Sequence, residues 1–380
     1  MPPLAGGCIR GNGPPFRAAA APGFPRPGTR ACVLKGRRDV QEAENKHKGL
    51  HWHSRLSVAP MMEWTDRHCR FLHRQLSRHA LLYTEMVTAA ALVHGDAVRL
   101  LAHHPDEHPL ALQLGGSDPG MLARAVQVAD PFGFDEINLN LGCPSDRVQS
   151  GAFGAVLMKS PALVEECVSA MIGAAGAARI TVKCRIGVDD QEPRDSLPLF
   201  VDMLRGAGVK TVIIHARKAW LKGLSPRENR EVPPLDHALV LQIKRDFPDL
   251  DIVVNGGIGT LDQVGTFLAQ GLDGAMVGRA AYHDPVSILG QADRRIFGAG
   301  ADRDVHEVVM AMLPYIEAHL SAGGRLNQIT RHMLGLFAGR PGARHWRRIL
   351  SERAHLPGAG PELVVEALSR LEALQPPIAS

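Results

Sequence analysis

Eight short apolar runs, each followed by a stretch with helical character, recur between Leu56 and Ala281 of this 380-residue chain. They are Leu56–Met62, Leu81–Val87, Leu110–Gly116, Phe134–Gly142, Arg179–Gly187, Thr211–Arg217, Asp251–Ile258 and Gly274–Ala281. Several are nearly continuous in apolar residues, as parallel strands covered on both faces should be. Intervening segments such as Leu163–Ala174 and Leu261–Ala269 carry helical spacing. Eight β/α units in about 230 residues is the count of a closed (β/α)8 barrel. An open doubly wound sheet is the alternative. It usually has fewer strands and a glycine-rich turn after the first. Here Ala59-Pro60-Met61-Met62 closes the first run, and neither G-x-G-x-x-G nor G-x-x-x-x-G-K-[ST] occurs. The expected fold class is therefore α/β, a TIM barrel over residues 55–298.

After Gly300 the strand pattern stops. Val305–Ser321 and Glu362–Leu374 read as amphipathic helices, with Ile329–Phe337 and His345–Arg353 between them. A small C-terminal α-helical domain over 301–380 follows, with Gly298-Ala-Gly300 as its hinge. Residues 1–54 are different again. They are rich in Gly, Pro, Ala and Arg, and Asp39 is the first acid. A disordered N-terminal extension is expected, with an organelle transit peptide as the alternative. Its sparse serine and high proline content speak against an amphipathic targeting helix.

At 45% hydrophobic residues the chain can bury a large core, which excludes wholesale disorder. No stretch approaches the ~18 uncharged apolar residues of a membrane span. The six cysteines form no C-x-x-C pair and no zinc-ligand spacing, so free thiols in a reducing cytoplasm are expected, with no metal.

Barrel enzymes build their sites at the C-terminal ends of the strands. The first run ends in Pro60-Met61-Met62. The third carries Gln113. The fourth carries Asn138 and Asn140 and ends in Gly142-Cys143-Pro144-Ser145. The fifth holds Lys183 and Arg185, the sixth His215 and Arg217. The seventh and eighth end in Asn255-Gly256-Gly257 and Gly278-Arg279, which offer unobstructed backbone N–H groups and one guanidinium to a phosphate. A lysine inside an apolar strand is costly unless it meets an anion, and a reduced flavin is one; the alternative is an outward lysine reaching solvent. Gln113 fits a flavin edge, and His215 a flavin edge or the phosphate; each fits a satisfied core polar group equally well. Cys143 at a strand's catalytic end is mostly protonated near neutrality and suits a general acid.

These residues are recognisable. Val58-Ala-Pro-Met-Met-Glu-Trp-Thr-Asp66, Asn138-Leu-Asn-Leu-Gly-Cys-Pro-Ser145, Val182-Lys-Cys-Arg185, Val212-Ile-Ile-His-Ala-Arg217, Asn255-Gly-Gly-Ile258 and Val277-Gly-Arg279 resemble the tRNA-dihydrouridine synthases. Ser225-Pro-Arg-Glu-Asn-Arg-Glu-Val-Pro-Pro234, Ile329-Thr-Arg-His-Met-Leu-Gly-Leu-Phe337 and Pro341-Gly-Ala-Arg-His-Trp-Arg347 are similar to the A-type subgroup. The resemblance covers roughly residues 55–375. It implies that uridines 20 and 20a of the tRNA D-loop are reduced to 5,6-dihydrouridine. It implies tightly bound FMN, with NADPH as a transient reductant. Pro60, Met61 and Met62 would line the flavin, and Gln113, Lys183 and His215 would contact it. Asn255, Gly256, Gly257, Gly278 and Arg279 would hold its phosphate end. Asn140 and Arg185 would face the base, Cys143 would be the acid, and Arg227, Arg230, Arg344 and Arg347 would meet tRNA. Glu63 stands where many relatives have Asp.

The charge distribution agrees with an RNA partner, although the net charge is only +4. Residues 325–353 hold seven arginines against Glu352 alone, and Arg344, Arg347 and Arg348 share one helical face. Arg217, Lys218, Lys222, Arg227 and Arg230 form a second basic group. Extruding a uridine from the tRNA elbow costs a few kcal/mol that such contacts must offset. A monomeric cytoplasmic enzyme is expected. A flavin reductase of free pyrimidines and a non-catalytic tRNA-binding protein are the rival readings.

Overall fold

The computed structural model describes residues 49, 51–145, 148, 151 and 153–373. Residues 1–48 and 50, most of the expected extension, lie outside that set. Every apolar run contains a strand: β1 Leu56–Val58, β2 Leu82–Thr88, β3 Leu110–Gly115, β4 Glu136–Leu141, β5 Arg179–Arg185, β6 Thr211–His215, β7 Asp251–Asn255 and β8 Gly274–Val277. All pairs are parallel, in the order β1-β8-β7-β6-β5-β4-β3-β2. Leu81 closes the ring against β1. Val58 N–H donates to Leu81 O and Leu81 N–H to Leu56 O, each at 3.0 Å. The fold is a (β/α)8 barrel.

β1 is shorter than its run. Pro60 has no N–H for a ladder, and the Met61 carbonyl turns to accept the amides of Trp64 and Thr65 at 3.1 and 2.9 Å. The chain is also ordered earlier than residue 55. His53 Nδ1 lies 2.8 Å from the His79 carbonyl, and the Trp52 ring lies 4.8 Å from those of His79 and Phe297. Burial of these aromatic faces draws residues 51–54 onto the barrel floor, so the predicted extension ran a few residues too far.

Register decides which side chains meet inside. Gln113, Asn138 and Thr181 are neighbours across β3, β4 and β5. Asn140, Lys183 and Ile213 are neighbours one layer up, and Arg185, His215, Asn255 and Met276 follow at the mouth. Ala59, Leu81, Tyr83, Ala111, Ile213, Val253 and Met276 form the apolar part of the interior. The alternate residues, such as Leu112, Leu139, Val182 and Val254, face the helices.

The polar part is one directed chain. Asn140 Nδ2 donates to Gln113 Oε1 at 2.8 Å, and Gln113 Nε2 to Asn138 Oδ1 at 2.9 Å. Asn138 Nδ2 donates to Thr181 Oγ1 at 2.8 Å, and Thr181 Oγ1 to Glu136 Oε1 at 2.7 Å. Glu136 is fully buried, paired with Arg179 at 2.9 Å and bonded by the Tyr83 hydroxyl.

Gly298 and Gly300 take positive φ, 62° and 70°, where the chain leaves the barrel. Helices Val305–Ser321, Leu326–Met333, Ala343–Arg353 and Pro361–Glu372 follow. The second begins three residues before the expected Ile329–Phe337, and the third begins two residues before the expected His345–Arg353. The first two of these helices dock on the barrel helix Arg67–Leu76. His68 Nδ1 meets Tyr315 Oη at 2.8 Å, and the Phe71 and Tyr315 rings stack at 4.0 Å. Asp66, which caps that barrel helix, also binds Arg331 at 2.5 Å and His332 at 3.1 Å. The hydrogen bonds from His332, the Cys69 amide and Arg331 hold the Asp66 carboxyl far below the usual carboxylate range despite its burial.

Candidate active site at the barrel mouth

Cys143 follows β4 on a loop held from both sides. Asn140 Oδ1 accepts the amides of Gly142 and Cys143 at 3.0 Å each. The Cys143 carbonyl accepts the Ala155 amide at 2.9 Å. Gly154, with φ 77°, passes so close that a Cβ there would lie 2.6 Å from the Cys143 oxygen. The thiol is half-buried, whereas Cys69, Cys167 and Cys184 are buried. Burial pushes the Cys184 thiol up to about 12 and Cys167 to about 11.

Lys183 lies beside Asn140, and burial lowers its ammonium to about 8, assisted by the Arg185 charge. No carboxylate pairs with it among the described residues. His215 is held neutral, well below its ordinary pKa, by burial and by Arg185, Lys183, Arg217 and Arg230. Its Nδ1 is buried with no partner among the described residues, as is Arg217 Nε. A cationic interior with an orphaned ring nitrogen is complementary to an anionic, hydrogen-bonding ligand. Gly256 and Gly257, with φ 105° and 72°, line the same side. A Cβ on Gly256 would sit 3.2 Å from the His215 ring. Asn255 Nδ2 ties β7 to β8 through the Met276 carbonyl at 2.8 Å. Gly278 faces Met61, whose sulfur would lie 3.7 Å from an added Cβ, so the loops after β1 and β8 converge. Pro60 is half-buried there, and Met62 is 58% exposed, an apolar group left open at the mouth.

The structure brings the expected residues together but gives several of them other partners. Gln113 is 1% exposed and bonded to both Asn138 and Asn140, so one amide hydrogen remains for a ligand. Asn140 spends its side chain on Gln113 and the Cys143 loop. Arg185 was expected to face a base. Its Nε instead donates to the Gly142 carbonyl at 3.0 Å, and its Nη1 to the Asn229 and Lys218 carbonyls at 2.8 and 3.3 Å. Arg279 pairs with Glu231 at 2.5 Å, and the same carboxylate lies 3.6 Å from Arg227. Arg230 follows Asn229, whose carbonyl accepts Arg185 Nη1, which brings it to the mouth.

Asn229 was not singled out in the sequence. It is fully buried; its Nδ2 donates to the carbonyls of Trp220, Leu224 and Ser225, and its Oδ1 accepts the Trp220 amide. One asparagine within a charged run has no periodic signal, and only its position inside a subgroup motif marks it.

Arg344 and Arg347 lie on the exposed face of helix Ala343–Arg353, opposite fully buried Trp346, whose Nε1 donates to the Met333 carbonyl at 2.9 Å. Arg331 and Arg353 of the same basic run are neutralised by Asp66 and Glu366. At the other end of the barrel His51, Asp251 and Asp273 bring three potential metal ligands together. Arg179 at 3.5 Å from Asp251 and Lys244 at 2.8 Å from Asp273 already balance those carboxylates.

A family model described as dihydrouridine synthase matches residues 57–372. The tRNA-dihydrouridine(20/20a) synthase of Escherichia coli is 56% identical over 321 residues, covering 84% of this chain and 92% of that protein. That of Shewanella oneidensis is 57% identical over 310 residues, 81% of this chain and 91% of the relative. That of Xanthomonas campestris is 55% identical over 318 residues, 84% and 94%. Among solved structures, morphinone reductase superposes with a TM-score of 0.44 at 13% identity, covering 65% of this chain and 87% of the other. The matched span runs from β1 through the last helix and includes each of the strand ends that build the mouth. This chain belongs to the dihydrouridine synthase family.

Proposed function

We propose that this chain reduces the C5=C6 bond of uridines 20 and 20a in the tRNA D-loop, with Cys143 as the proton donor. The observation that carries the proposal is half-buried Cys143 at the rim of an interior where, among the described residues, Lys183 has no carboxylate partner and His215 Nδ1 has no hydrogen-bond partner. Bound FMN would supply hydride chemistry at C6, with NADPH as its reductant. Lys183 would hold the anionic pyrimidine edge of the flavin, with Gln113 and His215 beside it. Gly256, Gly257, Gly278 and Arg279 would receive the phosphate, with Arg279 exchanging Glu231 for it. Pro60, Met61 and Met62 would cover the ring. Hydride addition at C6 leaves negative charge over C5 and the C4 oxygen, and the Cys143 S–H bond would supply the proton to C5. Asn140 and Arg185 act on the base through the loop they hold, since both bond the Gly142–Cys143 backbone.

The proposed setting is the cytoplasm, with the chain acting as a monomer. Among the described residues no helix is long and apolar enough to cross a membrane. The decisive experiment is spectroscopic. Purified protein should show a flavin band that NADPH bleaches and unmodified tRNA restores, with dihydrouridine found by mass spectrometry. Restoration by free uracil instead would favour a free-pyrimidine reductase; a colourless protein that FMN cannot reconstitute would leave only tRNA binding.

Arg344, Arg347 and Arg348 have no ion-pair partner among the described residues, which is why a tRNA surface is favoured there. Replacing Arg344 and Arg347 by alanine should weaken tRNA binding. It should lower the log–log salt slope by roughly 0.7 to 0.9 per lost contact. An unchanged slope would move the tRNA surface elsewhere.

A further inference from the structure

Proton donation turns Cys143 into a thiolate once per turnover, and that sulfur must be stabilised and reloaded. Among the described residues, the hydrogen-bond partner of Cys143 Sγ is the Ser145 hydroxyl, at 3.4 Å. The two residues flank buried Pro144, whose ring limits the turn between them. Asn140 and Ala155 fix the Cys143 backbone, so the sulfur moves chiefly by rotation about its own side-chain bond. Ser145 is itself only half-buried, which leaves its hydroxyl open to water. Among the described residues, Lys183 and Arg185 of β5 and Arg230 after β6 are cations that interact electrostatically with Cys143. None of them is hydrogen-bonded to Sγ.

We propose that Ser145 is a second catalytic residue, which accepts the Cys143 S–H bond at rest, donates to the thiolate after proton transfer, and returns a solvent proton to sulfur. This inference rests on the reading of Cys143 as the proton donor. Hydride addition at C6, the chemistry a reduced flavin would supply, would move the π pair of C5=C6 toward C5. The S–H bond breaks, its proton bonds to C5, and its electron pair stays on sulfur. The Ser145 hydroxyl then rotates to donate to the thiolate. Its proton passes to sulfur as water protonates its oxygen, so each turnover consumes one proton from solvent. A hydroxyl serves here because it both donates and accepts.

The test uses flavin-loaded Ser145→Ala and Ser145→Thr proteins with three readouts. One is flavin reduction by NADPH, one is flavin reoxidation by unmodified tRNA, and one is the pH profile of Cys143 alkylation by iodoacetamide, followed by peptide mass spectrometry. In Ser145→Ala, reoxidation should slow about tenfold and reduction should be unchanged. The alkylation midpoint should rise by about 0.5 to 1 pH unit, because the thiolate loses a donor. Ser145→Thr should restore both. An unchanged midpoint in Ser145→Ala, or no restoration by threonine, overturns the proposal. Should the wild-type flavin fail to reoxidise on tRNA, the dihydrouridine reading falls, and the alkylation midpoint still decides the role of Ser145.

Discussion

A Cys143→Ala protein is expected to keep its flavin band and its tRNA affinity while losing dihydrouridine formation by a factor of about 10² to 10⁴, the usual worth of a positioned general acid. The split follows from the geometry. Cys143 is positioned by its backbone, through Asn140 and Ala155, and alanine preserves both bonds. Nothing that would hold a phosphate or a tRNA backbone depends on the sulfur. Single-turnover reoxidation of the reduced protein by tRNA measures the chemical step directly. Full turnover by this variant would remove Cys143 from the chemistry and leave water or another side chain as the acid.

Lys183→Met should act in opposite directions on binding and on stability. In the flavin-free protein the lysine is buried without an anion, and its pKa falls from 10.5 to about 8. The folded state therefore binds fewer protons than the unfolded state between those values, and stability rises with pH through that window. Below pH 8 the full penalty applies. Methionine fills a similar volume without charge, so flavin-free Lys183→Met should be more stable than the wild type at pH 7 by roughly 1–3 kcal/mol in urea unfolding. The advantage should shrink as pH approaches 10.5. Flavin affinity should fall ten- to a hundredfold, as expected for a lost hydrogen bond from a charged donor. Unimpaired flavin binding would put the lysine's anion elsewhere.

The barrel was legible because burial on both strand faces leaves a signal in composition, and each of the eight runs contains a strand. Boundaries were less so. Nothing in Leu56–Met62 announces that Met61 O folds back on Trp64 and Thr65, and Trp52 and His53 carry no period that would draw residues 51–54 into the fold. The site was legible as a set of strand ends, since position along a parallel strand determines which side chains reach the mouth. Partnerships were not. Side chains from strands far apart in sequence choose among several donors and acceptors, and only register brings Gln113 to Asn138 or Arg185 to Gly142. The same holds for charge. Counting arginines over 325–353 missed that Asp66, some 260 residues away in sequence, neutralises Arg331.

The hydrogen-bond chain through the barrel has a sense, and that sense has a consequence for the mouth. Every amide and hydroxyl from Asn140 down to Thr181 donates toward the Glu136 carboxylate. Reversing any one amide would set oxygen against oxygen on one side and N–H against N–H on the other, so the links turn together or not at all. The negative end at the floor thus dictates that Asn140 offers its oxygen, not its nitrogen, to the amides of Gly142 and Cys143. The barrel works as a polarised wire: a carboxylate buried at its floor chooses which way up the Cys143 loop is held.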